Sequence, residues 1–272
     1  MRIYSPVARS NRIVVPWVTE RERELFLEAW NTDEHNPLLV LQQDKHREGC
    51  AITKNKGVEN AMKQGAEVVI ILDGDCYPDK TGPQSLEAMA LAHRNALLPQ
   101  QVEMFQIVTD PPSRGTPYTK RTIEMPVAAS LGFWTEIGDY CAVRQLAHES
   151  APMTFKTEPI SGKYFAMCGM NIAFYPELWS PWCNFIDVDR FDDIWMGWLW
   201  QKEAYRRGYC FNMNGPLIRH SRQSNVWANL KAETKYLKEN ETLWSNIAKN
   251  PSSCYKELRS LLPHEERCLT NR

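Results

Sequence analysis

The chain has 272 residues, 43% of them hydrophobic and 24% charged, with a formal net charge of -1 and a pI near 6.6. That length can bury a large core without a partner. Near-neutrality excludes a global pull towards nucleic acid or an anionic membrane, and no apolar run approaches the ~20 residues that cross a bilayer.

Residues 1–12 lack the apolar core of a signal peptide, so no membrane insertion and a cytoplasmic location are expected. Eight cysteines stand at 50, 76, 141, 168, 183, 210, 254 and 268 without a C-x-x-C pair, which predicts free thiols rather than a disulfide scaffold.

In the first half, short apolar runs alternate with amphipathic stretches, the pattern of βαβ units and a mainly parallel sheet. Strands are predicted over 12–16, 38–42 and 67–72, and helices over 20–30, 57–64 and 84–96. Residues 110–138 are rich in Pro, Gly and both charge signs and read as a long loop of the kind that carries function. The stretch 186–207 reads as a loop entering a Trp-rich helix. Beyond His220, Trp227, Leu230 and Leu237 fall on one helical face, which predicts a tail packed back on the core. The division expected is a catalytic domain over 1–225 and a helical segment over 226–272.

In parallel α/β sheets, function gathers at the carboxyl ends of the strands. Asp73-Gly74-Asp75 follows the apolar run EVVIIL directly, so two carboxylates stand where a buried strand ends. Asp73 and Asp75 can there hold a hard divalent cation, Mn²⁺ or Mg²⁺, with coordination positions left for a diphosphate. A solvated turn is the alternative.

Asp192-Asp193 precedes IWMGWLW, at the expected start of a buried helix. An N-cap plus a first-turn acid explains one carboxylate, and the second is a candidate base or stabiliser of a cationic sugar. His220 lies in a stretch, 219–238, with five Lys or Arg and one acid. It is a candidate metal ligand, with Arg219 offering charge to a pyrophosphate.

Three later segments carry a resemblance: PMTFKTEPISGKYFAMCGMNIAFYPEL, DRFDDIWMGWL and RHSRQSNVWANLK. In that order they resemble the reversibly glycosylated polypeptide family, whose plant members include UDP-arabinopyranose mutases. The resemblance implies a GT-A-type, Rossmann-like α/β fold that binds a UDP-sugar, with Mn²⁺ held by Asp73, Asp75 and His220.

It also implies that Arg114 is the reversibly glycosylated arginine and Arg121 a second arginine needed for activity. The nucleotide is expected against Pro16, Asp44, Asp73, Arg219 and Lys231. Two departures stand out: the family has Asp-Asp-Asp where this chain has Asp73-Gly74-Asp75, and the longer carboxyl-terminal part of the plant proteins is expected to be missing.

The expectation is a metal-dependent UDP-arabinose mutase-like enzyme interconverting pyranose and furanose forms, with Asp192, Asp193, Arg114 and Arg121 as its catalytic set. Transfer of the sugar to an external acceptor, such as a hydroxymethylated DNA base, a glycan or a protein, is the alternative. A non-catalytic sugar-nucleotide scaffold is the third. Nothing in the sequence sets an oligomeric state.

Overall fold

The structure is a computed structural model that describes residues 11–106, 109–117, 121–136, 140–148, 157–178, 188, 190–221 and 225–250. Its α/β architecture is built on β1 (Asn11–Trp17), β2 (Leu39–Gln43), β3 (Val68–Leu72), and the helices α1 (Glu20–Ala29) and α2 (Cys50–Lys63) that connect them. Continuous β-branched and aliphatic runs suit strands covered on both faces. Alternation along β3 sends Val69 and Ile71 to one core and Val68, Ile70 and Leu72 to the other.

Polar signals start the helices. Thr19 accepts from the Glu22 amide at 3.2 Å to cap α1, and Ser85 accepts from the Ala88 amide at 3.2 Å to cap α3 (Leu86–Ala96). Helix α2 begins seven residues before the expected 57–64. The polar run Thr53-Lys54-Asn55-Lys56 interrupts its apolar signal, which resumes only from Gly57. A Cβ at Gly57 would stand 2.3 Å from Val14 Cγ1, so glycine lets α2 lie tightly on β1.

After β4 (Cys76–Pro78) and α3, an antiparallel hairpin of β5 (Gln100–Glu103) and β6 (Thr122–Met125) leads through Pro126 into β7 (Val127–Leu131). Strand β8 (Phe133–Glu136) and helix α4 (Ala142–His148) follow, then β9 (Asn171–Phe174) and α5 (Asp192–Arg206). The chain continues through β10 (Cys210–Asn212), β11 (Leu217–His220), α6 (Val226–Glu233) and α7 (Leu237–Lys249).

The central sheet has the order β10-β7-β9-β3-β1-β2, and five of its six strands run one way, with β9 reversed. The mainly parallel expectation holds. The reading of 110–138 as loop is corrected, since it contains β6, the fully buried β7 and β8. VAAS is short and small, so it carries little apolar signal of its own, and central burial makes it a strand.

The tail packs on the core, but through other residues than the predicted face. Trp227 is 68% exposed, while Tyr236, Leu243 and Ile247 enter the core that α5 shares. A 3₁₀ turn at Thr234–Tyr236 separates α6 from α7 and breaks the single helical face read from the sequence.

A smaller sheet, β4-β11-β8, joins the main one through Asn171. Its amide donates to Phe133 O at 3.2 Å and Pro216 O at 2.9 Å, and its Oδ1 lies 2.8 Å from His93 Nε2. With the amide nitrogen donating twice, Oδ1 must accept, which assigns the proton to Nε2. His93 Nδ1 is buried with no hydrogen-bond partner among the described residues, and burial pushes the imidazole down to about 4.

The folded protein therefore keeps His93 neutral where the unfolded chain, titrating near 6.5, binds a proton. The stabilisation is complete above that unfolded value and is lost as pH falls through the window between 6.5 and about 4. At roughly 1.4 kcal/mol per pKa unit, the loss reaches about 3 kcal/mol. Urea unfolding above and within this window should show it, and His93→Gln, neutral throughout and still a donor, should flatten the dependence. An unchanged slope would show that His93 is not its source.

Candidate active site

Chain order creates the crevice. From β1 the chain passes to β2 on one side, then returns to place β3 on the other, so the strand order reverses between β1 and β3. Pairing between them ends at Val14 and Ile71, whereas β1 continues beside β2 to Trp17. Pro16, without an N–H, lies in the part of β1 that has left β3. Asp73 follows Leu72 at the mouth of this opening.

Asp44 sits just past β2, where its amide donates to Trp17 O at 2.8 Å. Its two carboxylate oxygens accept from the Glu48 and Gly49 amides at 2.7 and 3.0 Å, so it shapes the loop before α2. Glu22 is drawn in as well. A Cβ at Gly74 would stand 3.0 Å from Glu22 Oε1 and 3.1 Å from Pro16 O. An aspartate there would meet a carboxylate and a carbonyl, which accounts for glycine in the middle of Asp73-Gly74-Asp75.

At the centre stands Lys54, a residue the sequence reading missed. Its side chain is 7% exposed, and Nζ lies 2.8 Å from Asp73 Oδ1 and 3.1 Å from Gly169 O. Burial alone would lower the ammonium, but Asp73, helped by Cys50 and Asp193, outweighs it and holds Lys54 well above 10.5. A signal was available: Lys54, Gly57, Val58 and Ala61 form one helical stripe, all buried, so this lysine lies on an apolar face.

The peptide of Gly169 is held from both sides, because its amide donates to Asp193 Oδ2 at 3.0 Å while its carbonyl accepts from Lys54. Asp193 thus ties the start of α5 to the segment before β9. Phe191, in left-handed backbone at φ 63°, occupies the N-cap of α5 without a side-chain cap, so both acids lie in the first turn. The expectation of an aspartate N-cap is corrected. Asp192 is pushed up by burial, with Lys54 opposing.

The tryptophans after them do not form a wall for these acids. Trp195 and Trp200 are buried against Phe174, Phe211 and Tyr236, and Trp195 Nε1 donates to Asn240 Oδ1 at 2.9 Å.

The small sheet brings Asp75 to His220. Antiparallel pairing sets His220 opposite Cys76, and Nε2 lies 3.4 Å from Asp75 Oδ2. Among the described residues, no group of three His, Cys, Asp or Glu surrounds a single point as a metal cage would. Asp73 turns Oδ1 to Lys54 and its amide donates to Met170 O at 3.0 Å.

Arg219 pairs across from Tyr77 with its guanidinium 5.2 Å from the ring centre. Strand alternation sends it to the face opposite His220. Lys231 is exposed on α6, which meets the Asp192 region through Arg190 and Asn229, 3.1 Å apart.

Arg114 is exposed in a turn, and Arg121 lies 3.9 Å from Glu103 at the β5–β6 hairpin. The hairpin is rooted where β7 and β10 begin, at the edge opposite Asp73. Among the described contacts, neither arginine touches the acids.

A doubly wound sheet with acids gathered at its strand reversal defines a Rossmann-like α/β protein with a ligand crevice at the carboxyl edge. Residues 61–260 match the family model described as reversibly glycosylated polypeptide, and the chain belongs to that family. Pro16, Asp44 and Lys54 precede the matched range.

Probable UDP-arabinopyranose mutase 1 of Pisum sativum is 33% identical over 192 residues, covering 64% of this chain and 52% of that protein. Probable UDP-arabinopyranose mutase 2 of Solanum tuberosum is 31% identical over 213 residues, covering 71% and 58%. UDP-arabinopyranose mutase 1 of Arabidopsis thaliana is 30% identical over 227 residues, covering 74% and 63%. The chain spans about half the length of the first of these relatives.

Among solved structures, that of GalNAc-T7 with UDP, GalNAc and Mn²⁺ aligns over 94% of this chain and 55% of that one, at 12% identity and a TM-score of 0.40. The fold class rests here on strand order and direction, not on that overlap.

The Gly169 clamp predicts a contrast at Asp193. Asp193→Ala leaves a buried amide without an acceptor, at about 1–3 kcal/mol, while Asp193→Asn keeps one and should cost much less. Equal losses in urea unfolding would mean that the Gly169 contact contributes nothing.

Proposed function

We propose that this chain is an enzyme acting on a UDP-sugar, of the type that interconverts pyranose and furanose forms of UDP-arabinose. One observation carries the reading: at the crevice between β1 and β3, Asp75 stands 3.4 Å from His220, and Asp73, two residues before it, pairs with the buried ammonium of Lys54. Family membership and the names of the relatives support it.

A divalent ion fits this donor set. Two ligands side by side on one ion, at about 2.1 Å each, stand about 3 Å apart, close to the 3.4 Å between Asp75 Oδ2 and His220 Nε2. Asp75 and His220 would hold Mn²⁺ or Mg²⁺, Asp73 would support them, and diphosphate oxygens and water would complete the shell. The bound ion would act as a Lewis acid on the leaving diphosphate.

The chain's own groups supply the rest. Pro16 and Asp44 line the nucleotide end. Asp192 faces the sugar and stabilises positive charge as the bond from sugar to UDP breaks. Asp193 keeps that turn in place. The sugar's O4 then bonds to C1 and gives up its proton, and a UDP oxygen returns to C1 as the C1–O5 bond breaks and O5 takes up a proton, which leaves the furanose form. Arg114, with Arg121, accepts sugar in a reversible side state, in which a guanidine nitrogen gives up a proton and bonds to C1 as the bond from C1 to UDP breaks, and returning UDP reverses the exchange.

A second reading, transfer to an external acceptor, is favoured by Trp227. This indole is 68% exposed, one helical turn from Lys231, and suits stacking on a ring of an acceptor base or glycan.

The test is incubation with UDP-arabinopyranose and Mn²⁺, followed by chromatography of all nucleotide products. The expected result is UDP-arabinofuranose, lost on chelation and reduced at least ~100-fold by Asp75→Asn or His220→Ala. Turnover that survives chelation would remove the metal. Sugar transferred to an acceptor without ring conversion would replace the mutase by the transferase. Intact-mass measurement with donor alone should show a sugar adduct that excess UDP removes and Arg114→Ala abolishes.

A further inference from the structure

We propose that Lys54 is the positioning residue on which the crevice is assembled: it orients the Asp73 carboxylate through one oxygen and clamps the Gly169 peptide against Asp193. In chemical terms the site it prepares is for the diphosphate-sugar part of the ligand, and so it rests on the UDP-sugar reading. Lys54 touches none of the reacting atoms.

The geometry is specific. Asp73 Oδ1 is buried and 2.8 Å from Nζ, yet the side chain as a whole remains 26% exposed. With one oxygen committed to Lys54, the carboxylate cannot rotate freely, and its outer edge, carrying Oδ2, is offered to the crevice. The same ammonium lies 3.1 Å from Gly169 O, and the Gly169 amide donates to Asp193 Oδ2 at 3.0 Å. One cation therefore fixes the end of β3, the segment before β9 and the first turn of α5.

Its position is itself set by packing. Lys54 is one turn before Gly57, whose missing side chain lets α2 settle against Val14 on β1. No other residue reaches both Asp73 and Gly169 among the described contacts. The lysine also offsets part of the repulsion between Asp73 and its neighbours Asp75 and Asp192.

The prediction separates this role from a general folding role and from the function itself. In the full chain, Lys54→Met keeps the stem's volume and removes the ammonium. Hydrogen–deuterium exchange should rise at least ~10-fold at residues 167–170 and 192–194, with β1 and β3 protected as in the wild type.

With UDP-arabinopyranose and Mn²⁺, kcat should fall about 100-fold, the effect of a misplaced constellation, with a smaller change in KM. Lys54→Arg should recover part of the local protection. Because Lys54→Met leaves Asp73 buried beside no cation, Lys54→Met with Asp73→Asn provides a neutral pair that can fold if the single variant does not, and should show the same local exchange.

Wild-type exchange at 167–170 in the neutral pair would overturn the proposal. So would loss of protection throughout the sheet in that pair, which would make Lys54 a folding residue. If the wild type converts no UDP-sugar, the functional reading fails while the exchange pattern still decides the role of Lys54.

Discussion

The buried ion pair between Lys54 and Asp73 is the constraint on which the rest of the site depends. Removing either partner from such a pair leaves an uncompensated charge, typically at 3–5 kcal/mol, although the intact pair adds little net stability. A pair of this kind makes its surroundings interdependent. Here the ammonium is also satisfied by Gly169 O, whose own amide is satisfied by Asp193. Segments far apart in sequence are therefore locked in one arrangement by a single cation, and the acids are held near one another despite their repulsion.

Two sheets supply the walls. The reversal of strand order between β1 and β3 opens the crevice, and the early end of their pairing leaves Pro16 and Asp73 on its rim. The small sheet then delivers His220 to Asp75 by pairing β11 with β4. Asn171 joins the two sheets through Phe133, Pro216 and His93, so the geometry of Asp75 and His220 relative to Asp73 depends on a buried amide remote from all three in sequence.

Local departures from family pattern acquire physical reasons in this setting. Gly74 faces Glu22 and the Pro16 carbonyl, where a third aspartate would add carboxylate repulsion and a tight contact with the Pro16 carbonyl. Asp192 and Asp193, adjacent and chemically identical, divide into one acid pushed up by burial and one engaged with a backbone amide. The indoles that follow belong to the core, where edge-to-face contacts with Phe174, Phe211 and Tyr236 hold α5 against the sheet and α7.

By itself the sequence determined the βαβ class, the early strands, the strand end that presents Asp73 and Asp75, and the pairing of His220 with the acidic site through family resemblance. Those features follow from local apolar runs and short motifs. Lys54 was legible only as one member of the stripe with Gly57, Val58 and Ala61, and a lysine in a polar stretch of α2 looks solvated until contact with Val14 shows that this stripe is the buried one. Nor could the sequence separate Arg219 from His220, consecutive residues that strand alternation sends to opposite faces. Strand VAAS was invisible for a related reason: its small residues acquire meaning only between β9 and β10. Tertiary structure decided these points because burial and charge pairing depend on what lies across the fold, and no spacing along the chain records that.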